Sequence, residues 1–198
     1  MNEIAALTPD RILEKTEDVL RRFGLAKATV VDVARALDVS HGSVYRHFPS
    51  KASLRDAVVK RWLERSNAPL QAIAAETGPA PARLERWFRE LIGIKCRKVC
   101  DDPEMFATYL SLAQEAREVV SAYKEGLVDQ LTDMLSDGVA QGEFEVTDTV
   151  LMARALFDAT ARFHHPAHCE EWSDPNQGER IDTLLALLLR GLRAPSKQ

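Results

Sequence analysis

The sequence predicts an all-α protein, with a module of short helices at the N-terminus and a bundle of longer helices after it. Three observations carry this. Apolar residues recur every three or four positions along nearly the whole chain, the spacing of one buried helix face. Capping residues, glycines and prolines punctuate that pattern where helices would begin and end. No segment of useful length alternates apolar and polar residues as a half-buried strand does, and there is neither an internal repeat nor a low-complexity tract.

The elements follow in order. Ile12, Leu13, Thr16, Val19, Leu20 and Phe23 share one face of a helix over residues 9–23, with Thr8 as N-cap, Pro9 at the first helical position and Gly24 as the stop. Thr29-Val30-Val31-Asp32 reads as a capping box with Asp in place of the usual Glu, and it opens a short helix to about Leu37. Asp38-Val39 turns the chain. Ser40 caps a second short helix over 41–47, which Phe48-Pro49 ends because proline disfavours helix in the residue before it. Ser50 caps a fourth helix running to about Ser66. The clearest break is Thr77-Gly78-Pro79-Ala80-Pro81-Ala82. Longer amphipathic stretches follow at about 82–100, 103–114, 116–141, 148–170 and 178–193, with separators at Gly142-Glu143 and at 173–178.

Composition bounds the function. The chain has 198 residues, 45% hydrophobic and 28% charged, enough for a core that folds without disulfides. Three cysteines, an odd number, suit a reducing compartment. No apolar run is long enough for a membrane span, and the start Met1-Asn2-Glu3 lacks the features of a signal peptide, so the expected location is cytoplasmic, with no membrane partner. Net charge is −4, but residues 19–65 hold ten Lys or Arg against four Asp or Glu. A basic N-terminal module on an acidic body suits a protein that touches phosphate at one end only; a solvated charged surface is the plainer reading.

Residues 29–48, TVVDVARALDVSHGSVYRHF, decide between these. Val33, Ala34 and Leu37 supply the core face of the first short helix, and Val44 and Phe48 that of the second. The rest of the second helix carries His41, Gly42, Ser43, Arg46 and His47, nearly all able to hydrogen-bond. A short helix with a polar outer face on a hydrophobic floor is what insertion into a DNA major groove requires. The stretch resembles the DNA-binding domain of the tetracycline-repressor (TetR/AcrR) family at Thr29, Val33-Ala34, Val39-Ser40, Gly42-Ser43-Val44-Tyr45, His47-Phe48, Ser50-Lys51 and Leu54, over about residues 10–60. Asp38 stands where the family usually has Gly at the turn, and Asp tolerates the left-handed conformation better than most residues. The C-terminal part resembles the family only in length and helicity.

The resemblance implies an N-terminal three-helix helix-turn-helix domain (1–66) and a C-terminal helical ligand-binding and dimerisation bundle (67–198). It implies a repressor that binds palindromic double-stranded operator DNA as a homodimer, is released by a small-molecule effector, and is not an enzyme. The DNA-binding residues would be Thr29, Ser40, His41, Gly42, Ser43, Tyr45, Arg46, His47 and Lys51. Thr29, Tyr45, His47 and Lys51 would meet phosphates, His41, Gly42 and Ser43 base edges, and Arg46 either. The helix ending near Ser66 links the module to the body, so a small tilt of it would move residues 41–47 out of register with successive grooves.

Other constellations are less specific. Trp87, Phe106, Tyr109, Tyr123 and Phe157 are mostly core by spacing, with some lining an effector pocket together with His164 and His165. His164, His168 and Cys169 are the candidate metal ligands, since His164 and His168 are four apart, but Pro166 between them would kink the helix, and hydrogen-bonded histidines are the simpler reading. Cys96 and Cys100 share a helical face beside Arg97 and Lys98, which would lower a thiol pKa in a redox sensor; buried inert cysteine is commoner. A metal- or redox-sensing regulator is therefore the alternative function. No cofactor is expected. The last helix is apolar around much of its circumference, and Leu184, Leu188 and Leu192 with Leu156 of the 148–164 stretch are the candidate dimer interface.

Overall fold

The structure, a computed structural model, describes residues 7–193. Ten α-helices and one 3-10 segment account for nearly all of it: α1 (Pro9–Lys27), α2 (Val30–Ala36), α3 (His41–Tyr45), α4 (Lys51–Ala74), α5 (Ala80–Asp101), α6 (Pro103–Glu115), α7 (Arg117–Ala140), α8 (Thr149–Ala159), α9 (Ala161–His164), the 3-10 segment (Pro166–Ser173) and α10 (Gln177–Leu192). Among the described residues the only extended pairing is an isolated bridge between Phe144 and Arg193. The chain divides into two units. The first comprises the residues up to Glu64 with Asp102–Ser121, and the second Arg65–Asp101 with the residues from Ala122 onward.

In the first unit, local chemistry sets the helix ends. Thr8 Oγ1 accepts from the Arg11 amide, and Pro9 occupies the first turn. Gly24 breaks the helical path with φ 70°, a conformation that glycine adopts without steric cost. Phe23, expected on the core face, is 44% exposed; it sits at this break, under the Arg22 guanidinium. Ile12, Leu13, Val19 and Leu20 are buried as the periodicity implies. Asp38 turns the chain between α2 and α3 at φ 55°, the left-handed position expected of it. α6 packs on α1, with Arg21 facing Asp102 at 3.5 Å. Trp62 of α4 stacks on Tyr109 of α6 at 4.4 Å between centroids, with Phe106 at 6.4 Å.

In the second unit, Leu84, Trp87, Phe88 and Leu91 of α5, Leu127, Leu131 and Leu135 of α7, Leu156 of α8 and Ile181, Leu185 and Leu192 of α10 form one buried cluster. Gly138 lets the turn after α7 close: a Cβ there would lie 2.1 Å from Phe144 Cδ2. Two elements differ from the sequence expectation. α4 does not end near Ser66 but continues through Pro69 to Ala74; burial of Leu70 offsets the hydrogen bond that proline removes. The expected 148–170 helix is three pieces. Thr160 Oγ1 donates within the turn to the Leu156 and Phe157 carbonyls, competing with the backbone ladder, and His165 is extended before Pro166.

Candidate nucleic-acid interface and effector site

The exposed face of α3 is built from its cap outward. Ser40 Oγ accepts from the Ser43 amide at 3.2 Å and lies 2.9 Å from Ser43 Oγ. Arg46 Nη2 donates to Ser43 Oγ at 3.0 Å. The cap therefore also holds the guanidinium, and a chain of three polar side chains runs along one side of the helix. Val44 is fully buried and Phe48 nearly so, which fixes the helix on its floor. His41, Gly42, Tyr45, Arg46 and His47 are exposed, as is Lys51 at the start of α4. The His41 and Tyr45 rings meet edge to face at 6.3 Å. Reciprocal Ser50 and Ser53 bonds cap α4 beside Lys51.

Thr29 is exposed but already engaged. Its Oγ1 accepts from the Asp32 amide at 3.2 Å and donates to Asp32 Oδ2 at 2.6 Å, and its own amide donates to the same carboxylate. The hydroxyl bond from Thr29 is the main reason the Asp32 carboxyl sits below its ordinary pKa. This is the capping box read from the sequence, with Asp serving as well as Glu.

The residues expected to line an effector pocket do not form one group. Phe106 and Tyr109 belong to the first unit, packed on Trp62. Trp87, Tyr123, Phe157, His164 and His165 belong to the second. Trp87 is fully buried, and its Nε1 donates to Gln130 Oε1 at 2.9 Å, whose Nε2 donates to Asn67 Oδ1 at 2.8 Å. Phe157 and His164 rings lie 4.6 Å apart. His165 is exposed.

His164 is 4% exposed. Its Nε2 lies 3.2 Å from both the Phe157 carbonyl and Thr160 Oγ1. A carbonyl only accepts, so Nε2 carries the proton. Burial lowers its pKa to about 4, with Lys95, His165 and Lys124 adding repulsion, so the ring is neutral at physiological pH. Among the described residues no group of three or more His, Cys, Asp or Glu side chains is placed to hold a metal. His164 ends α9, whereas His168 lies in the 3-10 segment and contacts Glu171, so the four-residue helical spacing that suggested a shared metal is lost. Cys96 is half-buried and Cys100 exposed. Burial raises the Cys96 thiol pKa, with Cys100 adding to the effect, and this outweighs the Arg97 contribution that suggested a reactive thiolate.

Sequence reasoning missed Lys95. It follows Leu84, Phe88 and Leu91 on the core stripe of α5 and is 7% exposed. Its Nζ stands 5.3 Å from the Tyr123 ring centroid. Burial and Lys124 bring its pKa down to about 8. Tyr123 Oη is buried, and no protein group hydrogen-bonds to it; burial pushes the phenol pKa upward, so it remains a donor. The signal available in the sequence was a lysine at an apolar position of the α5 period.

The candidate dimer residues are divided too. Leu156 and Leu192 are buried in their own protomer and Leu184 and Leu188 half-buried. The large apolar side chains left exposed on α8 and α10 are Val150, Leu151 and Leu187.

Comparison with known proteins bears on the whole chain. Residues 12–58 match the family described as bacterial regulatory proteins, tetR family, and residues 80–185 match the tetracyclin repressor-like C-terminal domain. The HTH-type transcriptional repressor KstR2 of Rhodococcus jostii is 24% identical over 193 residues, covering 93% of this chain and 90% of the relative. A TetR transcription regulator from Haloarcula marismortui superposes with a TM-score of 0.69 at 21% identity, over 94% of this chain and 98% of that one. The regulator FadR of Bacillus subtilis, in complex with stearoyl-CoA, superposes with a TM-score of 0.62 at 17% identity, over 94% and 100%. With the N-terminal model falling on the capped α2–α3 pair and the C-terminal model spanning more than half the chain, the protein belongs to the tetR family of bacterial regulatory proteins and is a ligand-responsive, DNA-binding transcriptional regulator.

Proposed function

We propose that the chain represses transcription as a homodimer on near-palindromic operator DNA, and that a small molecule with an extended apolar part releases it. The observation that carries this is the exposed polar face of α3, where Ser40 and Ser43 hold Arg46 above a buried floor of Val44 and Phe48. Arg46 then reaches a guanine edge or a phosphate, and His41, Gly42 and Ser43 lie against base edges. Tyr45, His47 and Lys51 meet phosphates, with Thr29 contributing through its exposed position rather than its engaged hydroxyl. Residues 1–66 carry DNA binding, and 67–198 carry effector binding and dimerisation. The protein acts in the cytoplasm, where its operator is.

Val150 and Leu151 of α8 and Leu187 of α10 supply the dimer contact, bordered by Leu184 and Leu188. A two-fold pairing of these helices covers apolar side chains that the protomer leaves in water. The apolar interior of the second unit and the stearoyl-CoA bound by the similar FadR support an effector with an acyl chain or a comparable apolar body. Its binding shifts the equilibrium only if it prefers one arrangement of the DNA-binding modules. The test is fluorescence anisotropy with DNA from upstream of the chain's own gene. Binding with one dimer per site, relieved by acyl compounds, is expected; equal affinity for scrambled DNA overturns the reading.

A further inference from the structure

We propose that Gln130 is a positioning residue for operator binding: with Trp87 and Asn67 it latches α4 just before Pro69, the weakest point of that helix. The proposal rests on the operator-binding reading above and names a device that holds the helix on which Lys51 stands. α4 runs from Lys51 to Ala74 with Pro69 inside it. Proline has no amide hydrogen, so the ladder lacks the bond from residue 69 to the carbonyl four residues earlier, and bending costs least there. Residues up to Glu64 belong to the first unit and those from Arg65 to Asp101 to the second. A bend at Pro69 therefore re-aims the part of α4 that begins at Lys51.

Two buried polar chains flank the proline, and each joins α4, α5 and α7 within the second unit. Before it, Trp87 Nε1 donates to Gln130 Oε1 at 2.9 Å, and Gln130 Nε2 donates to Asn67 Oδ1 at 2.8 Å. An indole N–H only donates, so the Gln130 oxygen must face Trp87 and its nitrogen Asn67. After it, Arg83 Nη1 donates to the Ala74 carbonyl at 3.2 Å and the Glu76 carbonyl at 2.8 Å, and Arg83 Nη2 donates to Asp137 Oδ2 at 2.7 Å. Asn67 and Ala74 are seven apart on α4, Gln130 and Asp137 seven apart on α7, and Trp87 and Arg83 four apart on α5, so the two chains share one face of each helix. Trp87, Arg83 and Gln130 are all buried. The apolar contacts of Leu70 are non-directional and tolerate a shift of α4, whereas hydrogen bonds do not. Turning the upstream part of α4 parts Asn67 from Gln130 and strands a buried amide donor. Lys98 Nζ also donates to Ser66 Oγ, but its flexible four-carbon stem follows a shift that the Gln130 amide, anchored at both ends, resists.

The experiment is an anisotropy titration of upstream DNA with the full chain as wild type, Asn67→Ala, Asn67→Asp, Pro69→Ala and the double variant Asn67→Ala with Pro69→Ala, with thermal unfolding measured alongside. Asn67→Ala opens the latch at a half-buried position and should weaken operator binding about three- to tenfold, because only the fraction with α4 correctly aimed binds. The salt slope should not change, since no phosphate contact is lost. Asn67→Asp keeps the acceptor for Gln130 and should bind like the wild type. Pro69→Ala completes the ladder, so alone it should leave affinity unchanged, and in the double variant it should recover most of the loss. Undiminished affinity in Asn67→Ala, an equal loss in Asn67→Asp, or a loss that Pro69→Ala does not recover each overturns the proposal; a lowered melting temperature with wild-type affinity makes the chain of bonds structural only and overturns it too. Hydrogen exchange over residues 65–73 reads the latch without DNA. Asn67→Ala should speed exchange there and Pro69→Ala should reverse it; unchanged exchange overturns the latch. A wild type that does not bind upstream DNA strikes the operator reading instead, and the exchange measurement still decides whether Gln130 holds α4.

Discussion

Acidification should expose the state of His164 directly. The ring has an ordinary pKa of 6.5 when the chain unfolds and a pKa of about 4 in its buried site. At pH 7 it is neutral in both states and contributes almost nothing to the pH dependence. As pH falls through 6.5, the unfolded chain takes up a proton that the folded chain refuses, so stability is present at neutral pH and lost on the acid side. Between pH 7 and pH 5 the loss is about 2 kcal/mol from this residue, approaching about 3 kcal/mol below pH 4. His165 is shifted the same way by burial and Lys124 but is exposed, so it adds less. Carboxylates held low by partners, such as Asp32, Glu76 and Glu171, begin to matter only at lower pH. Urea denaturation followed by circular dichroism at fixed protein concentration reads the change. His164→Gln keeps a donor for the Phe157 carbonyl and cannot titrate, so it should lose less than half as much stability over the same interval. A wild-type midpoint that does not move, or a variant that loses as much, would refute the buried neutral assignment.

Three other perturbations test other parts of the account. Lys51→Ala should weaken binding to all DNA sequences similarly and lower the salt slope by about 0.9, as loss of one phosphate contact does; altered base preference with the slope intact contradicts its role. Leu187→Asp should place charge in the covered face of the dimer, and sedimentation should show monomers where the wild type is dimeric; a wild type already monomeric at micromolar concentration removes that interface. Gly138→Ala would put a methyl group 2.1 Å from Phe144 Cδ2 and should cost about 1–3 kcal/mol in urea unfolding; an unchanged midpoint contradicts the packing of this turn.

What was legible in the sequence had local causes. The caps at Thr29 and Ser40, the left-handed Asp38 and the buried pair Val44 and Phe48 are set by residues within a few positions of one another, so spacing alone exposes them. Some failures came from distant contacts, and others from side-chain placement that spacing does not reveal. Nothing near Phe106 or Tyr109 shows that they meet Trp62 in the first unit, because that contact joins helices far apart in the chain. The fourth helix was expected to end near Ser66, yet α4 continues through Pro69 to Ala74, where Leu70 is buried. Thr160 gave no sign of breaking the helix, since its hydroxyl competes with the ladder only when turned back toward Leu156 and Phe157. Lys95 was legible in principle as a charge on an apolar stripe, but lysines on helices are usually solvated, and only burial separates the two cases.

The central claim is that α3 reads a specific DNA sequence with Arg46 held in place by Ser43. The most direct test is an anisotropy titration of wild type and Arg46→Ala on upstream DNA and on a scrambled duplex at one fixed salt concentration. The wild type should bind the upstream site with one dimer and prefer it over scrambled DNA by about a thousandfold or more. Arg46→Ala should lose much of that preference, by about 1–3 kcal/mol if the contact is to a base, while retaining the weak binding to scrambled DNA. A wild type that binds both duplexes alike, or an Arg46→Ala variant with undiminished discrimination, would contradict the account.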